Sequence, residues 1–325
     1  MQYNKVVIIG NGLIGASLAN LLKEKKLARE IVAFSRSDED YFSLKDADII
    51  FISVPLSQYE YVFKNIAKIT LLDHVIISDL GSVKYFVEDL ANFYLPNINF
   101  VASHPVAGSH LSGTGTVIPK LYEGKKIIIT KGSAEAINKI KNLWLDAKAC
   151  PEMLPSARHD EIYAYVSHLI QKLAFNLDNL YDENLVDLDK KLKSVYFSKF
   201  IRLNSSNALM WKDVFAFNDE YIEKATLNFK IALQQYIYQI EQDIKQYDKA
   251  SSNDDAVKIY LDLAKIIASI TNRVVKEHIR DYQNYVGQGF LDFTAIAKDE
   301  DSYNVKNISQ RDYVKDRLTR FLNNL

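Results

Sequence analysis

The feature that most constrains this chain is Val6-Val7-Ile8-Ile9-Gly10-Asn11-Gly12-Leu13-Ile14-Gly15-Ala16-Ser17. A short, β-branched apolar run enters a Gly-x-Gly-x-x-Gly turn and continues as a helical pattern, the strand-turn-helix setting in which such a turn holds a dinucleotide. Gly10 permits the tight turn, Gly12 lets the backbone approach a pyrophosphate, and Gly15 lets the helix lie close on the strand. The N–H groups of the helix start, around Leu13 and Ile14, then face the phosphates. A turn that is glycine-rich for structural reasons alone is the competing reading, and the flanking strand and helix weigh against it.

A second strand is expected over 30–34, followed by Ser35-Arg36-Ser37. An acidic residue at this point would hold the ribose 2′-hydroxyl of NAD, whereas a hydroxyl and an arginine suit the 2′-phosphate of NADP. Ser35 and Arg36 therefore favour NADP, with NAD possible; in the other reading Arg36 is solvated and Asp38 or Asp40 takes the ribose. About eleven residues separate Ser37 from the next buried strand, 48–54, so the intervening crossover shrinks to about one helical turn. Pro55, at the carboxyl end of that strand, joins the cofactor set. A helix follows over 57–68, a strand over 74–79, and a helix from about Val83 to Phe93 with Ser82 at its start. Ligands of open parallel sheets sit beyond the carboxyl ends of the strands, which puts Ser82 on the cofactor side, whether or not it also caps its helix. The strand 99–103 delivers His104-Pro105-Val106-Ala107-Gly108-Ser109. A histidine at a strand end, with a pKa near neutrality, is suited to proton transfer. A strand over 125–130, a helix over 134–147 and a short strand over 149–154 close the domain.

Beyond Pro155 glycine is absent until Gly287 and the apolar spacing is helical. The expected fold is α/β: a Rossmann-type dinucleotide-binding domain over 1–154 and an all-α domain over 155–325. Phe229, Leu233, Tyr236, Ile240, Ile244 and Tyr247 form one helical stripe, and Ile259, Leu263, Ile266, Ile267 and Ile270 another. A loop over 248–255 separates them, and a last helix is expected in the tail after Asp299. A net charge of -1 without a basic block argues against nucleic acid as a partner. No apolar run reaches the length of a membrane span. The single cysteine, Cys150, excludes an internal disulfide and lacks an adjacent base, and no metal cluster is expected; a reducing, cytoplasmic setting fits. No leader is expected ahead of the first strand.

Together these stretches resemble the prephenate and arogenate dehydrogenase family of tyrosine biosynthesis. Residues 10–17 are similar to its cofactor loop, Ser78-Asp79-Leu80-Gly81-Ser82-Val83-Lys84 to its D-x-G-S-V-K segment, and 104–109 to its H-P-x-A-G-[ST] segment. Met153-Leu154-Pro155-Ser156-Ala157-Arg158-His159-Asp160 is similar to M-x-P-x-x-H-D, and Ser167-His168-Leu169 to S-H-L. Arg202-Leu203-Asn204-Ser205-Ser206 with Met210-Trp211-Lys212-Asp213 matches more loosely. The resemblance holds from residue 6 to about 218.

It implies an oxidative decarboxylation, with hydride leaving C4 of a cyclohexadienol and the ring carboxylate leaving as CO₂. His104 would accept the proton of the C4 hydroxyl, and Ser82 would orient that hydroxyl and the histidine. Arg202 would bind a substrate carboxylate, His168 would serve the side-chain end, and His159 with Asp160 would form a polar network near Arg202. A homodimer through the helical domain is also implied. Departures are His110 where many members have glutamate, Ile170-Gln171 in place of P-H, and a 197–201 segment without the usual R-D-x-T polarity. Two other readings compete. One is a different β-hydroxyacid-type dehydrogenase, needing a catalytic lysine for which Lys172 and Lys190 are available; the other is a catalytically idle nucleotide-binding protein.

Overall fold

The computed structural model describes residues 3–35, 41–108, 115–178, 203, 206–246, 256–295, 297 and 311–325. Its contacts divide into two units, the first Met1–Glu161 with Asn207–Asp219, the second Ile162–Ser206 with Glu220–Leu325. This differs from a division after Leu154, where the glycine content changes. Residues 155–161 stay with the first unit because Asp160 is hydrogen-bonded to backbone amides of that unit. The segment 207–219 returns to it because Val214, Trp211 and Phe217 fill one of its two cores.

The first unit is built on a seven-stranded sheet. In chain order its strands are β1 (Tyr3–Ile9), β2 (Ala28–Phe34), β3 (Ile49–Ile52), β4 (Ile76–Asp79), β5 (Asn99–Pro105), β6 (Lys126–Lys131) and β7 (Cys150–Met153). They lie in the order β2-β1-β3-β4-β5-β6-β7. Its helices are α1 (Leu13–Glu24), α2 (Tyr59–Ile66), α3 (Tyr85–Tyr94), α4 (Ala134–Asp146) and, from the returning segment, α7 (Ala208–Phe217). Alternation along β1 sorts its side chains between two apolar layers. Val6 and Ile8 join a core with Leu18 and Leu22 of α1 and Ile140 and Trp144 of α4, while Val7 and Ile9 join Tyr59, Val62, Val87 and Val214 on the other face.

Several local expectations change. The sheet is not wholly parallel, since β5 and β6 run antiparallel. Strand β5 continues through Pro105, so His104 lies within it, paired with Ile128, rather than just beyond it. Helix α3 begins at Tyr85 rather than Val83, so Ser82 stands in the β4–α3 connection and is not the N-cap. The helix read over 57–68 divides into a 3₁₀ turn, Leu56–Gln58, and α2. Among the described residues, the shortened crossover contains the 3₁₀ turn Tyr41–Leu44.

The second unit is helical among its described residues. It follows α5 (Ser156–Tyr163) with a π-helical turn, Ala164–His168, then α6 (Leu169–Asp178), α8 (Asp219–Gln246), α9 (Ala256–His278), α10 (Gln288–Thr294) and α11 (Arg311–Asn324). Phe229, Leu233, Tyr236 and Ile240 on α8 are buried, as are Leu263, Ile266, Ile267 and Ile270 on α9. Val314, Leu318 and Phe321 supply the buried face of α11, with Phe321 edge-on to Phe229. The side chains of Ile244 and Ile259, Tyr247, and the loop expected over 248–255 lie outside the described residues. No described helix is long and apolar enough to cross a membrane.

Candidate active site

The nucleotide-binding turn is shaped by what its glycines lack. Gly10 has φ of +109°, a conformation that side-chain-bearing residues rarely adopt, and a Cβ there would lie 2.3 Å from the Ser53 carbonyl oxygen. A Cβ on Gly15 would lie 1.9 Å from the Gly10 carbonyl oxygen, so the turn and the first turn of α1 touch through backbone alone. At Gly12 a Cβ would meet nothing within 4 Å. That open space lies at the N-cap of α1, where no side chain caps the helix and the first N–H groups have no intrahelical acceptor. A pyrophosphate fits this arrangement on steric and electrostatic grounds. Gly10 N–H donates to Phe34 O at 2.9 Å and Ser53 N–H to Ile9 O at 2.7 Å, which ties the ends of β2, β1 and β3 together. Ser35 follows directly after β2, and Pro55 precedes the 3₁₀ turn at the end of β3. Arg36 lies outside the described residues.

On the same carboxyl edge, β4 and β5 carry a second cluster. Asp79 ends β4 with a fully buried carboxylate that accepts from the Lys84 ammonium, from Ser103 N–H at 2.9 Å and from Gly81 N–H at 3.0 Å. Burial pushes the Asp79 carboxyl up from its ordinary value, and the Lys84 charge opposes that. Lys84, itself buried, also donates to Ser103 O at 2.8 Å, so the ion pair clamps the two strands just before His104.

His104 is half-buried and lies 2.8 Å by Nδ1 from Nε2 of His159. His159 is fully buried, and its Nδ1 is 2.7 Å from Asp160 Oδ1. Burial, and then the nearby Lys84 charge, push the His159 pKa well below its ordinary value, which favours the neutral ring. The Asp160 carboxylate accepts from Lys84 N–H at 2.9 Å and Tyr85 N–H at 2.8 Å. It therefore caps α3 from outside the helix, with its negative charge at the positive end of the helix dipole. Its own carbonyl accepts from Asn218 Nδ2 at 3.0 Å. Sequence spacing gives no hint that 79, 84, 104 and 160 converge; the D-x-G-S-V-K and H-D motifs were the available signals, and they do not state the pairing.

In the helical unit His168 is buried at the end of the π-turn, a distortion that often marks functional positions. Gln171, one of the departures, donates to Leu203 O at 2.8 Å and so holds the chain next to residue 202. Arg202 and His110 themselves lie outside the described residues, as do the 197–201 segment and Lys190. Lys172 donates to Thr226 Oγ1 at 3.3 Å, and burial, then Lys230, lowers its pKa. Cys150 is exposed at the start of β7. Among the described residues no cluster of metal-ligating side chains occurs.

The sheet, the fingerprint turn and a histidine on its carboxyl edge define a dinucleotide-dependent dehydrogenase. Family models sharpen this: "prephenate dehydrogenase, nucleotide-binding domain" matches residues 11–152, and "prephenate dehydrogenase, dimerization domain" matches 155–251. The prephenate dehydrogenase of Lactococcus lactis subsp. cremoris is 32% identical over 245 residues, 70% of this chain and 68% of that protein. That of Bacillus subtilis is 29% identical over 240 residues, 67% of this chain and 65% of that protein. The chain thus spans about two thirds of the length of these curated relatives. A crystal structure of Aquifex aeolicus prephenate dehydrogenase with hydroxyphenyl propionate and NAD+ is 27% identical, with a TM-score of 0.66 over 75% of this chain and 93% of that one. The chain belongs to the prephenate dehydrogenase family.

Proposed function

We propose that this chain catalyses the NAD(P)-dependent oxidative decarboxylation of prephenate or arogenate, with His104 as the proton acceptor. The observation that carries the reading is the placement of His104, half-buried and hydrogen-bonded to a buried neutral imidazole, on the sheet edge that also bears the fingerprint turn. Gly10, Gly12, Leu13, Ile14, Gly15 and Pro55 hold the nucleotide, which when bound supplies a nicotinamide able to accept hydride. His104 takes the proton of the C4 hydroxyl as the C4–H bond breaks. The C1–carboxylate bond breaks to release CO₂, and its electron pair enters the ring to leave a phenolate, which becomes the phenol by taking back the proton held on His104. Ser82, in the connection between β4 and α3, orients the hydroxyl.

Arg202 is the ligand proposed for a substrate carboxylate, a role suited to its planar fork, and His168 serves the substrate side chain. Ser35 and Arg36 favour NADP over the NAD+ held by the Aquifex relative. The match of 155–251 to a dimerization domain supports a homodimer through the helical unit.

The test is nucleotide reduction at 340 nm with prephenate and arogenate, each against NAD and NADP, alongside His104→Asn. One substrate should turn over, faster with NADP, and the variant should lose about 10²–10⁴-fold in kcat while still binding nucleotide. Absence of turnover in all four combinations, with nucleotide bound, rejects the reading.

A further inference from the structure

Resting on the reading of His104 as proton acceptor, we propose that His159 is a positioning residue that, with Asp160, fixes the tautomer of His104 so that Nε2 is its basic nitrogen. Asp160 is 1% exposed, and when ionised it is an acceptor only. The two backbone N–H groups at the start of α3 favour that ionised form. At 2.7 Å from Asp160 Oδ1, Nδ1 of His159 must therefore carry its proton. A neutral imidazole with a proton on Nδ1 has its lone pair on Nε2. That nitrogen lies 2.8 Å from Nδ1 of His104, which must in turn be the donor. Neutral His104 then presents its lone pair at Nε2, the nitrogen remote from His159. The arrangement parallels the general rule that the partner of one imidazole nitrogen decides the chemistry of the other.

The same chain of hydrogen bonds stabilises His104 once it has taken a proton, because the imidazolium faces a neutral acceptor backed by a carboxylate. Among the described residues, the charged and titratable groups around the pair include Asp160, which caps α3, the Asp79–Lys84 ion pair, and Tyr59, whose hydroxyl lies 3.5 Å from Asp79. Ile128, which opposes His104 on β6, is apolar. Lys84 is paired with Asp79, while Asp160 is the carboxylate in hydrogen-bond contact with His159.

Two measurements test this. The ¹⁵N imidazole shifts of the full chain, without substrate, should show His104 protonated at Nδ1. His159→Asn retains a donor for Asp160 but is too short to reach His104, whereas His159→Gln places a carbonyl oxygen where Nε2 stood. The Asn variant should lose about 10- to 100-fold in kcat, less than the ~10²–10⁴-fold that positioned proton transfer contributes as a whole. Its acid limb should move to lower pH, its nucleotide affinity should not change, and the Gln variant should recover most of the rate. A wild-type His104 protonated at Nε2 overturns the proposal, as does a folded Asn variant with unaltered kcat and pH profile. If the Asn variant does not fold, the wild-type spectrum and the Gln variant decide. Failure of the wild-type chain to oxidise either substrate rejects the proposed function instead, and the spectrum still decides the tautomer.

Discussion

The nucleotide turn and the histidine cluster stand on one edge of one sheet but are made in opposite ways. The turn works because Gly10, Gly12 and Gly15 lack side chains, and six consecutive residues specify it. The cluster works because Asp79, Lys84, His159 and Asp160 are buried and paired, and it joins residues 76 positions apart, Lys84 and Asp160. The comparison teaches that a backbone site is local in sequence and uncharged, whereas a proton-handling site requires long-range partners, because a buried charge left alone is costly. Damage to the first should appear in binding, and damage to the second in stability and in pH dependence.

The hardest test of that contrast is Lys84→Met. Removing the ammonium leaves Asp79 buried without its compensating charge, and breaking such a pair costs about 3–5 kcal/mol. Urea or thermal unfolding should show a loss of that size, and Asp79→Leu added to Lys84→Met should recover much of it. A loss below about 1 kcal/mol would mean that Asp79 accepts a proton cheaply, and that the cluster is less dependent on charge than its geometry indicates.

The glycines divide the contrast more finely. Gly15→Ala forces a Cβ against the Gly10 carbonyl, which only backbone movement can relieve, so it should cost about 1–3 kcal/mol of stability as well as nucleotide binding. Gly12→Ala meets open space at φ of -80°, which any residue adopts. It should leave unfolding within about 0.5 kcal/mol of wild type. Its added methyl enters the space assigned to the pyrophosphate, so nucleotide affinity should fall at least about tenfold, or ~1.4 kcal/mol by titration. Equal losses of stability in the two variants would remove the basis for assigning them different work.

These two sites also show what was legible before the structure. The fingerprint was readable because its constraint is local: each glycine answers to a neighbour within a few residues or to the ligand itself. The two-layer core was readable from alternation in β1 and from the spacing of Phe229, Leu233 and Tyr236. His104 was identified from its motif, but its partner was not, since nothing in the order of residues states that 104 meets 159. Helix α3 starts two residues after Val83 for a related reason. Ser82 is a good capping residue by type, yet the cap comes from Asp160, and a distant carboxylate outcompetes a local hydroxyl once tertiary structure delivers it. The antiparallel β6 was missed because Lys126-Ile127-Ile128-Ile129 reads as a buried strand in either direction.

The smallest expected effect follows from the buried imidazole. His159 has a folded pKa well below the value near 6.5 of an unfolded histidine. Well above pH 6.5 neither state of His159 binds a proton, and this group takes nothing from the stability of the folded chain. As pH falls below 6.5 the unfolded chain takes up a proton that the folded chain refuses, so stability declines until the folded pKa is reached. The loss sets in as the unfolded imidazole titrates near pH 6.5, and its sign follows from the lowered folded pKa. His159→Gln removes the group and should flatten that part of the stability–pH curve, while Gly12→Ala, which touches no titrating side chain, should retain the wild-type slope. Identical slopes in all three proteins would show that His159 accepts its proton in the folded state, and the neutral ring on which the relay to His104 depends would be lost with it.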